Sequence, residues 1–247
     1  MKTTTNPAQN ASPAITVIPY AALGHNDYGW LNARYHFSFG EYHNPARMGF
    51  GALRVVNDDI IGPNTGFDTH PHRDMEIITY VRSGAITHRD SMGNEGKTEA
   101  GDVQVMSAGT GIRHSEKNAE NIPTTLYQIW IIPREKGVTP GWDARKFPKE
   151  PITSGALPIL VSGHAEDAGK DVMTIHADAS ISGGRLKKGT TITQPLHNLG
   201  YLLVSEGSVE VNGTPMNHGD GAEITGADTV TIRALTDAEL VLIDVPA

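Results

Sequence analysis

The chain of 247 residues contains no cysteine. Its absence excludes disulfide bonds, thiolate zinc sites and cysteine nucleophiles, and it leaves the redox compartment open. Positive charge is also scarce, because 20 Lys and Arg residues stand against 28 Asp and Glu residues and give a formal net charge of −8. An acidic chain repels nucleic-acid phosphates, so we expect no direct binding to nucleic acid.

Long apolar runs are missing as well. A membrane helix needs about 20 apolar residues, and no stretch of the sequence approaches that length. Residues 1–6 lack the apolar segment of a signal peptide. We therefore expect a cytoplasmic protein that does not bind a membrane.

Two short motifs carry the chemistry that is present. The first reads His-Pro-His-Arg-Asp-Met-Glu at residues 70–76, and the second reads Ala-Gly-Thr-Gly-Ile-Arg-His-Ser-Glu at residues 108–116. Residues i and i+2 of a β-strand point to the same face. Each motif therefore presents a pair of side chains, and two facing pairs predict a metal site of four ligands: His70, His72, His114 and Glu116.

Three imidazoles and one carboxylate suit a divalent transition metal better than calcium or magnesium. This ligand set does not by itself decide among iron, copper, nickel, manganese and zinc. Four protein ligands leave one or two positions free on a five- or six-coordinate ion, where a substrate oxygen and a second reactant can bind. The sequence therefore predicts one catalytic metal ion per chain.

The residues between the two motifs predict strands and turns. Residues 76–81 are rich in β-branched and aromatic side chains, Ser83 and Gly84 mark a turn, and residues 85–90 return as a second strand. Gly101 and Asp102 then turn the chain into another apolar strand. This pattern favours an all-β fold.

The order of these motifs, His-x-His followed by Glu, then Gly-Asp and a later His, resembles the cupin superfamily. The residues of the two motifs resemble those of the pirin family. So do two further segments, His-Phe-Ser-Phe at residues 36–39 and Leu-Arg-Val-Val-Asn-Asp-Asp at residues 53–59. The resemblance covers most of residues 30–134. It implies a bicupin, which contains two jelly-roll β-barrels in one chain.

The resemblance also bears on the two candidate carboxylates. Many cupins use the glutamate at the position of Glu76 as a ligand, whereas pirins use two histidines of the first motif with the histidine and glutamate of the second. Glu116 is therefore the expected ligand. Glu76 is an even step from His72 and is expected to orient an imidazole through its free N–H.

Short sequence segments of the second half resemble segments of the first half in the same order. Residues 135–151 are rich in proline and predict a connector between an N-terminal metal-binding domain (14–134) and a C-terminal domain (152–247). An alignment of residues 204–207 with 81–84 places four other residues opposite the ligands: Thr193, Pro195, Ile232 and Ala234. We therefore expect a second barrel without metal ligands. Since a bicupin can close its core internally, we expect a monomer.

Bacterial pirins resemble quercetin 2,3-dioxygenases, in which a metal binds a flavonol through its 3-hydroxyl oxygen and dioxygen opens the central ring with release of carbon monoxide. The resemblance implies a small aromatic substrate, dioxygen as co-reactant, and a metal ion for which iron is favoured. Glu116 would act as the catalytic base that accepts the hydroxyl proton. Among the remaining histidines, His88 is expected at the surface or beside the ligands.

Animal pirin supports an alternative from another functional class. It is similar to this chain and acts as a redox-responsive transcription cofactor. The alternative is therefore a metal-containing regulatory protein that binds a protein partner with little or no turnover.

Overall fold

The computed structural model describes residues 13–247, which form strands, two short 3-10 helices and no α-helix. The predicted all-β class is confirmed. The first half contains β1 (Ala14–Ile18), η1 (Tyr20–Ala22), β2 (Gly24–Asp27), β3 (Leu31–Tyr35), β4 (Leu53–Ile61), β5 (Thr65–His72), β6 (Glu76–Ser83), β7 (Ala85–Asp90), β8 (Glu95–Glu99), β9 (Val103–Ser107), β10 (Ile112–Asn118), β11 (Thr124–Ile131) and β12 (Gly141–Arg145). The second half contains β13 (Ile159–Ser162), η2 (Ala165–Asp167), β14 (Met173–Thr174), β15 (Ser180–Leu186), β16 (Thr191–Pro195), β17 (Leu199–Glu206), β18 (Ser208–Val211), β19 (Thr214–Asn217), β20 (Gly221–Thr225), β21 (Thr229–Ala234) and β22 (Ala238–Val245).

Each half pairs a seven-stranded sheet with a four-stranded sheet. In the first half the larger sheet has the order β12-β9-β6-β11-β4-β3-β2 and the smaller one β5-β10-β7-β8. In the second half the orders are β1-β20-β17-β22-β15-β13-β14 and β16-β21-β18-β19. Ile77 of β6 and Ile112 of β10 belong to one apolar cluster, so the two sheets of the first half pack face to face.

Alternation along β10 directs the chemistry into the first barrel. Ile112, His114, Glu116 and Asn118 are buried, whereas the residues between them are partly or fully exposed. Side chains two apart in a strand share a face. The histidine and the glutamate of the second motif therefore enter the barrel from the same strand.

The two large sheets bury their outer faces against each other in one shared core. Ile78 of β6 and Ile129 of β11 belong to the same cluster as Tyr201 of β17 and Ile243 of β22. Because both faces of its sheet are covered, β22 is buried along its whole length and reads as a nearly continuous apolar run. The two halves thus form one packed unit.

Two strands depart from the predicted domain boundaries. β1, expected in the N-terminal domain, pairs with β20 of the second half, and β12, expected in the connector, pairs with β9 of the first half. Both occupy sheet edges, where an added strand satisfies free backbone N–H and C=O groups. A proline-rich composition marked the connector but could not show that its proline-free part, residues 141–145, extends a sheet.

The register of the second half also differs from the predicted one. Glu116 lies opposite His88 of β7, and the equivalent pair in the second half is Ile232 with Val211. Val230, opposite Gln194, then takes the place of His114. The loop before β21, residues 226–228, is shorter than the loop before β10, residues 108–111, so the sequence alignment slipped there. The strand pairing therefore gives the following counterparts of His70, His72, His114 and Glu116, in that order: Gln194, Leu196, Val230 and Ile232.

The shared core predicts that damage to the second half destabilises the first. All three tryptophans, Trp30, Trp130 and Trp142, lie in the first half, so tryptophan fluorescence reports unfolding there. Ile243→Ala should lower the free energy of unfolding measured by fluorescence by about 2–5 kcal/mol, because it leaves a cavity in the shared core. Ile122→Ala, at a 58% exposed position, should change it by less than about 0.5 kcal/mol. An unchanged fluorescence transition with an earlier loss of strand by circular dichroism would show two independent halves.

A buried histidine between the halves predicts acid sensitivity. His36 Nδ1 lies 2.9 Å from the Tyr201 hydroxyl, and burial, aided by the charges of Arg47 and Arg82, lowers the pKa of His36 to about 3. The unfolded chain therefore binds more protons between pH 6.5 and pH 3, and stability falls as pH falls through this range. Between pH 7 and pH 5 the wild-type protein should lose about 2 kcal/mol more than His36→Gln in urea unfolding. The matched substitution at exposed His25 should retain the wild-type pH dependence, and equal slopes for wild type and His36→Gln would refute the assignment.

Candidate metal centre

Three imidazoles converge inside the first barrel. His70 and His72 lie on β5, His114 lies on β10, and the two strands pair so that His70 is opposite His114. The Nε2 atoms of His70 and His114 are 3.1 Å apart, and one ligand atom from each of the three rings lies within 4.8 Å of the others. Three nitrogens this close can hold a metal ion.

The protonation of the rings suits a metal. Burial, followed by the neighbouring histidine charges, lowers the pKa of His72 to about 4 and that of His114 to about 3. Both rings are therefore neutral at pH 7 and can offer a nitrogen lone pair. His72 Nε2 is buried and has no hydrogen-bond partner among residues 13–247. A bound cation would satisfy this atom, so the residues present fit a metal.

Glu116 enters the same cavity but lies outside the group of three histidines. Its Oε1 accepts hydrogen bonds from Thr79 Oγ1 at 3.1 Å and Gln104 Nε2 at 2.6 Å, and its Oε2 accepts one from Gln128 Nε2 at 2.9 Å. A carboxylate oxygen has two lone pairs, so Oε2 retains one for a further partner. The assignment of Glu116 as fourth ligand stays a prediction.

A chain of side chains supports His114 and begins at His88, which is buried beside it and does not lie at the surface. His114 Nδ1 lies 3.4 Å from His88 Nδ1, and His88 Nε2 lies 3.0 Å from Asp90 Oδ2. If His114 binds a metal through Nε2, its Nδ1–H donates to His88, whose Nε2–H donates to Asp90. His88 is fully buried and stacks on Trp142. The i,i+2 spacing of His88 and Asp90 on β7 was the signal that could have revealed this chain.

The His70 ring is held by a hydrogen bond to the backbone. His70 Nδ1 donates to the carbonyl oxygen of Asp68 at 2.7 Å, which leaves Nε2 free to face His114. Two of the three imidazoles thus have their second nitrogen anchored. Such anchoring fixes ring orientation before a metal binds.

Above the histidines lies a cavity of about 220 Å³. Its walls combine aromatic side chains with the metal-site residues and a few polar groups. The lining residues are Phe39, Asn57, Asp59, Phe67, His70, His72, His114, Glu116, Gln128 and Trp130. The candidate metal site therefore opens into a cavity with flat apolar walls.

Comparison with known proteins agrees with this geometry. Residues 17–131 match the family model described as Pirin, and residues 159–245 match that of the Quercetinase C-terminal cupin domain. A pirin-like protein of Caulobacter vibrioides is 54% identical over 92% of this chain and 97% of its own length. The chain belongs to the pirin family.

Other pirin relatives carry functional names. A quercetin 2,3-dioxygenase of Escherichia coli, an oxidoreductase by name, is 41% identical over 90% of this chain and 95% of its own length. The bacterial pirin YhhW of Escherichia coli, solved in complex with nickel(II), has a TM-score of 0.87 and 38% identity, and the match covers 94% of this chain and 99% of that one. The predicted bicupin fold and the relation to quercetin 2,3-dioxygenases are confirmed. Among residues 13–247 no helix has the length and apolarity that a membrane span requires.

One predicted site residue of this pirin lies elsewhere. Glu76 does not contact the imidazoles. Its Oε2 accepts a hydrogen bond from Ser107 Oγ at 2.7 Å, and its carboxyl lies near His176 of the second half. Asp74 adopts a positive φ of 47° between β5 and β6, so the two-residue periodicity counted from His72 does not continue to Glu76. Thr79, three residues further along β6, reaches Glu116 inside the barrel, which places Glu76 on the opposite face.

The buried chain behind His114 predicts a loss of metal affinity in His88→Gln. Replacing the imidazole breaks the path to Asp90, and loss of such a partner typically weakens metal binding about 10- to 100-fold. Competition of the apo-protein with a chromophoric chelator for nickel or zinc would measure it. His25→Gln, the same change at an exposed histidine, should bind as the wild type does. Equal affinities of His88→Gln and wild type would show that His88 has only a packing role.

Proposed function

We propose that this chain is a metal-dependent dioxygenase that opens the ring of flavonols such as quercetin, with iron as its metal. The observation that carries the proposal is the convergence of His70, His72 and His114 on the floor of a cavity with aromatic walls. The name of the Escherichia coli quercetin 2,3-dioxygenase supports the same substrate class. Dioxygen would be the second reactant.

The three histidines would hold the ion, and Glu116 would provide the fourth ligand. A divalent transition metal in this place would acidify a phenolic hydroxyl beside it and supply redox chemistry toward dioxygen. Two imidazoles are anchored by hydrogen bonds to Asp68 and His88, so little reorganisation would accompany binding. The family's nickel-bound member supports a metal here without deciding which one.

Glu116 would also act as the base that receives the hydroxyl proton, once its free Oε2 lone pair has loosened from the metal. Thr79, Gln104 and Gln128 fix its carboxylate from three strands of the large sheet, so the carboxylate is held rigidly at the cavity. A base held this way is positioned for a proton transfer at hydrogen-bond distance. Transfer to Glu116 leaves an electron-rich substrate ring facing the cavity.

The aromatic walls would hold the planar substrate and exclude water. Phe67 and Trp130 line the cavity from opposite sheets, and His72 packs edge-on against Trp130 at 4.9 Å. Flat rings between flat walls bury apolar area while leaving their oxygen substituents free for polar contacts. The volume of about 220 Å³ is below the range of about 300–1,000 Å³ that is usual for ligand cavities, so a three-ring flavonol would extend through its mouth.

The direct test is anaerobic titration of iron-loaded protein with quercetin, followed by admission of dioxygen. A metal-dependent spectral change on binding, and carbon monoxide with loss of quercetin after oxygen, would support the proposal. The absence of both would refute the flavonol activity. Metal binding without turnover, together with a protein partner that distinguishes ferrous from ferric protein, would instead support the regulatory alternative.

A matched pair of glutamate variants tests the assignment of the carboxylate. Glu116→Gln should lower quercetin turnover by a factor of about 10² or more, because it removes the base and weakens metal binding. Glu76→Gln, which changes a buried glutamate on the opposite face of β6, should keep metal content and turnover near wild type. Steady-state kinetics on metal-analysed protein gives both results, and the reverse order of effects would assign the site to Glu76.

A further inference from the structure

Two neighbouring polar residues of β4 face the cavity. Asn57 and Asp59 are two residues apart, so they share a face, and both line the cavity above the histidines. They are 3% and 2% exposed. Asp58 between them points to the other side, where it forms an ion pair with Arg82. The strand therefore sends one carboxylate to a structural partner and an amide and a carboxyl into the cavity.

One side-chain oxygen of each cavity-facing residue has no hydrogen-bond partner among residues 13–247. Among residues 13–247, Asn57 Oδ1 and Asp59 Oδ1 are buried and accept no hydrogen bond. Buried polar atoms in folded proteins are nearly always hydrogen-bonded, so two exceptions on one face of one strand need an explanation. A ligand that occupies the cavity would supply the missing bonds.

The other polar groups of the cavity are already committed. Gln128 donates to Glu116 and accepts from Trp130, and Glu116 accepts from three side chains. The imidazoles form the candidate metal site, and the remaining wall residues are aromatic. Asn57 and Asp59 are thus the polar groups left to recognise a substrate.

We propose that Asn57 and Asp59 form the hydrogen-bonding wall that recognises oxygen substituents of an aromatic ligand bound above the metal site. The inference rests on the proposed function, which it deepens by naming the residues that would select among aromatic ligands. The two oxygens without partners can accept hydrogen bonds from hydroxyl groups. The class of ligand is a planar aromatic that carries hydroxyl groups.

The electrostatics agree with this assignment. Burial, with the charges of Asp58 and Glu116 adding, raises the pKa of the Asp59 carboxyl well above its usual range. A carboxyl oxygen can accept hydrogen bonds from hydroxyl groups. The two side chains leave the strand about 7 Å apart, which is the scale of one substituted ring.

Zinc-loaded protein under nitrogen separates binding from turnover, because zinc has no redox chemistry. The probes are quercetin and flavone, the parent compound without hydroxyl groups, and fluorescence quenching measures both dissociation constants. Asp59→Leu and Asn57→Leu should each weaken quercetin binding about tenfold or more, because each leaves a polar group of the bound ligand without its partner. Flavone, which offers no hydroxyl groups, should change by less than about threefold.

Controls distinguish recognition from folding. Asp237→Leu makes the same chemical change at an exposed carboxylate of the second half and should leave both dissociation constants unchanged. The melting temperature of zinc-loaded Asp59→Leu should not fall, because the unpartnered carboxyl stabilises nothing in the free protein. Metal analysis should return one zinc ion per chain for every variant.

Several outcomes would overturn the inference. They are wild-type quercetin affinity in both variants, equal weakening of quercetin and flavone, or binding of neither probe to the wild-type protein. Failure of the proposed function is a separate result, seen when iron-loaded wild type binds quercetin with no consumption of dioxygen. In that case selective weakening by Asp59→Leu and Asn57→Leu would still establish the recognition wall.

Discussion

The pairing of β5 with β10 is the constraint on which the site depends. It places His70 opposite His114, so two ligands that are 44 residues apart in sequence meet across one ladder. The two-residue period of each strand then adds His72 and Glu116 to the same face. A shift of one residue in this register would turn each ligand to the outside of the barrel. Backbone hydrogen bonds between β5 and β10 therefore bring the imidazoles together.

A second constraint fixes the position of Glu116 inside the barrel. The three side chains that hold Glu116, namely Thr79, Gln104 and Gln128, come from β6, β9 and β11, which are adjacent strands of the large sheet. The outer face of that same sheet packs into the core shared with the second half. A sheet buried on both faces has little freedom to shift. The second half thus contributes rigidity to the candidate metal site.

The sequence predicted the ligand histidines because they follow short-range rules. The i,i+2 spacing within a strand, together with motifs that resemble the pirin family, identified His70, His72 and His114. The structure brings these three residues together. The prediction failed for Glu76, because the two-residue period does not continue through a turn. Glu76 was counted in step with His72, but the chain reverses through Asp74 between the two strands, and the phase of the alternation was lost. The edge pairings of β1 and β12 were likewise hidden, because pairing with a distant strand leaves no local signature in either segment.

His88 and the pair of Asn57 and Asp59 show a different limit of sequence reasoning. Each residue sits on a strand whose inward face could be guessed, yet its role depends on which side chains arrive from other strands. His88 became a partner of His114 because β7 lies beside β10. Asn57 and Asp59 became notable because no such partner arrives among the described residues. Buried polar groups without partners lower stability, so a chain keeps them where another molecule completes the hydrogen bonds. In the free protein, strand pairing would then hold the histidines in place, while Asn57 and Asp59 would lack hydrogen-bond partners. This arrangement favours selective binding over maximal stability.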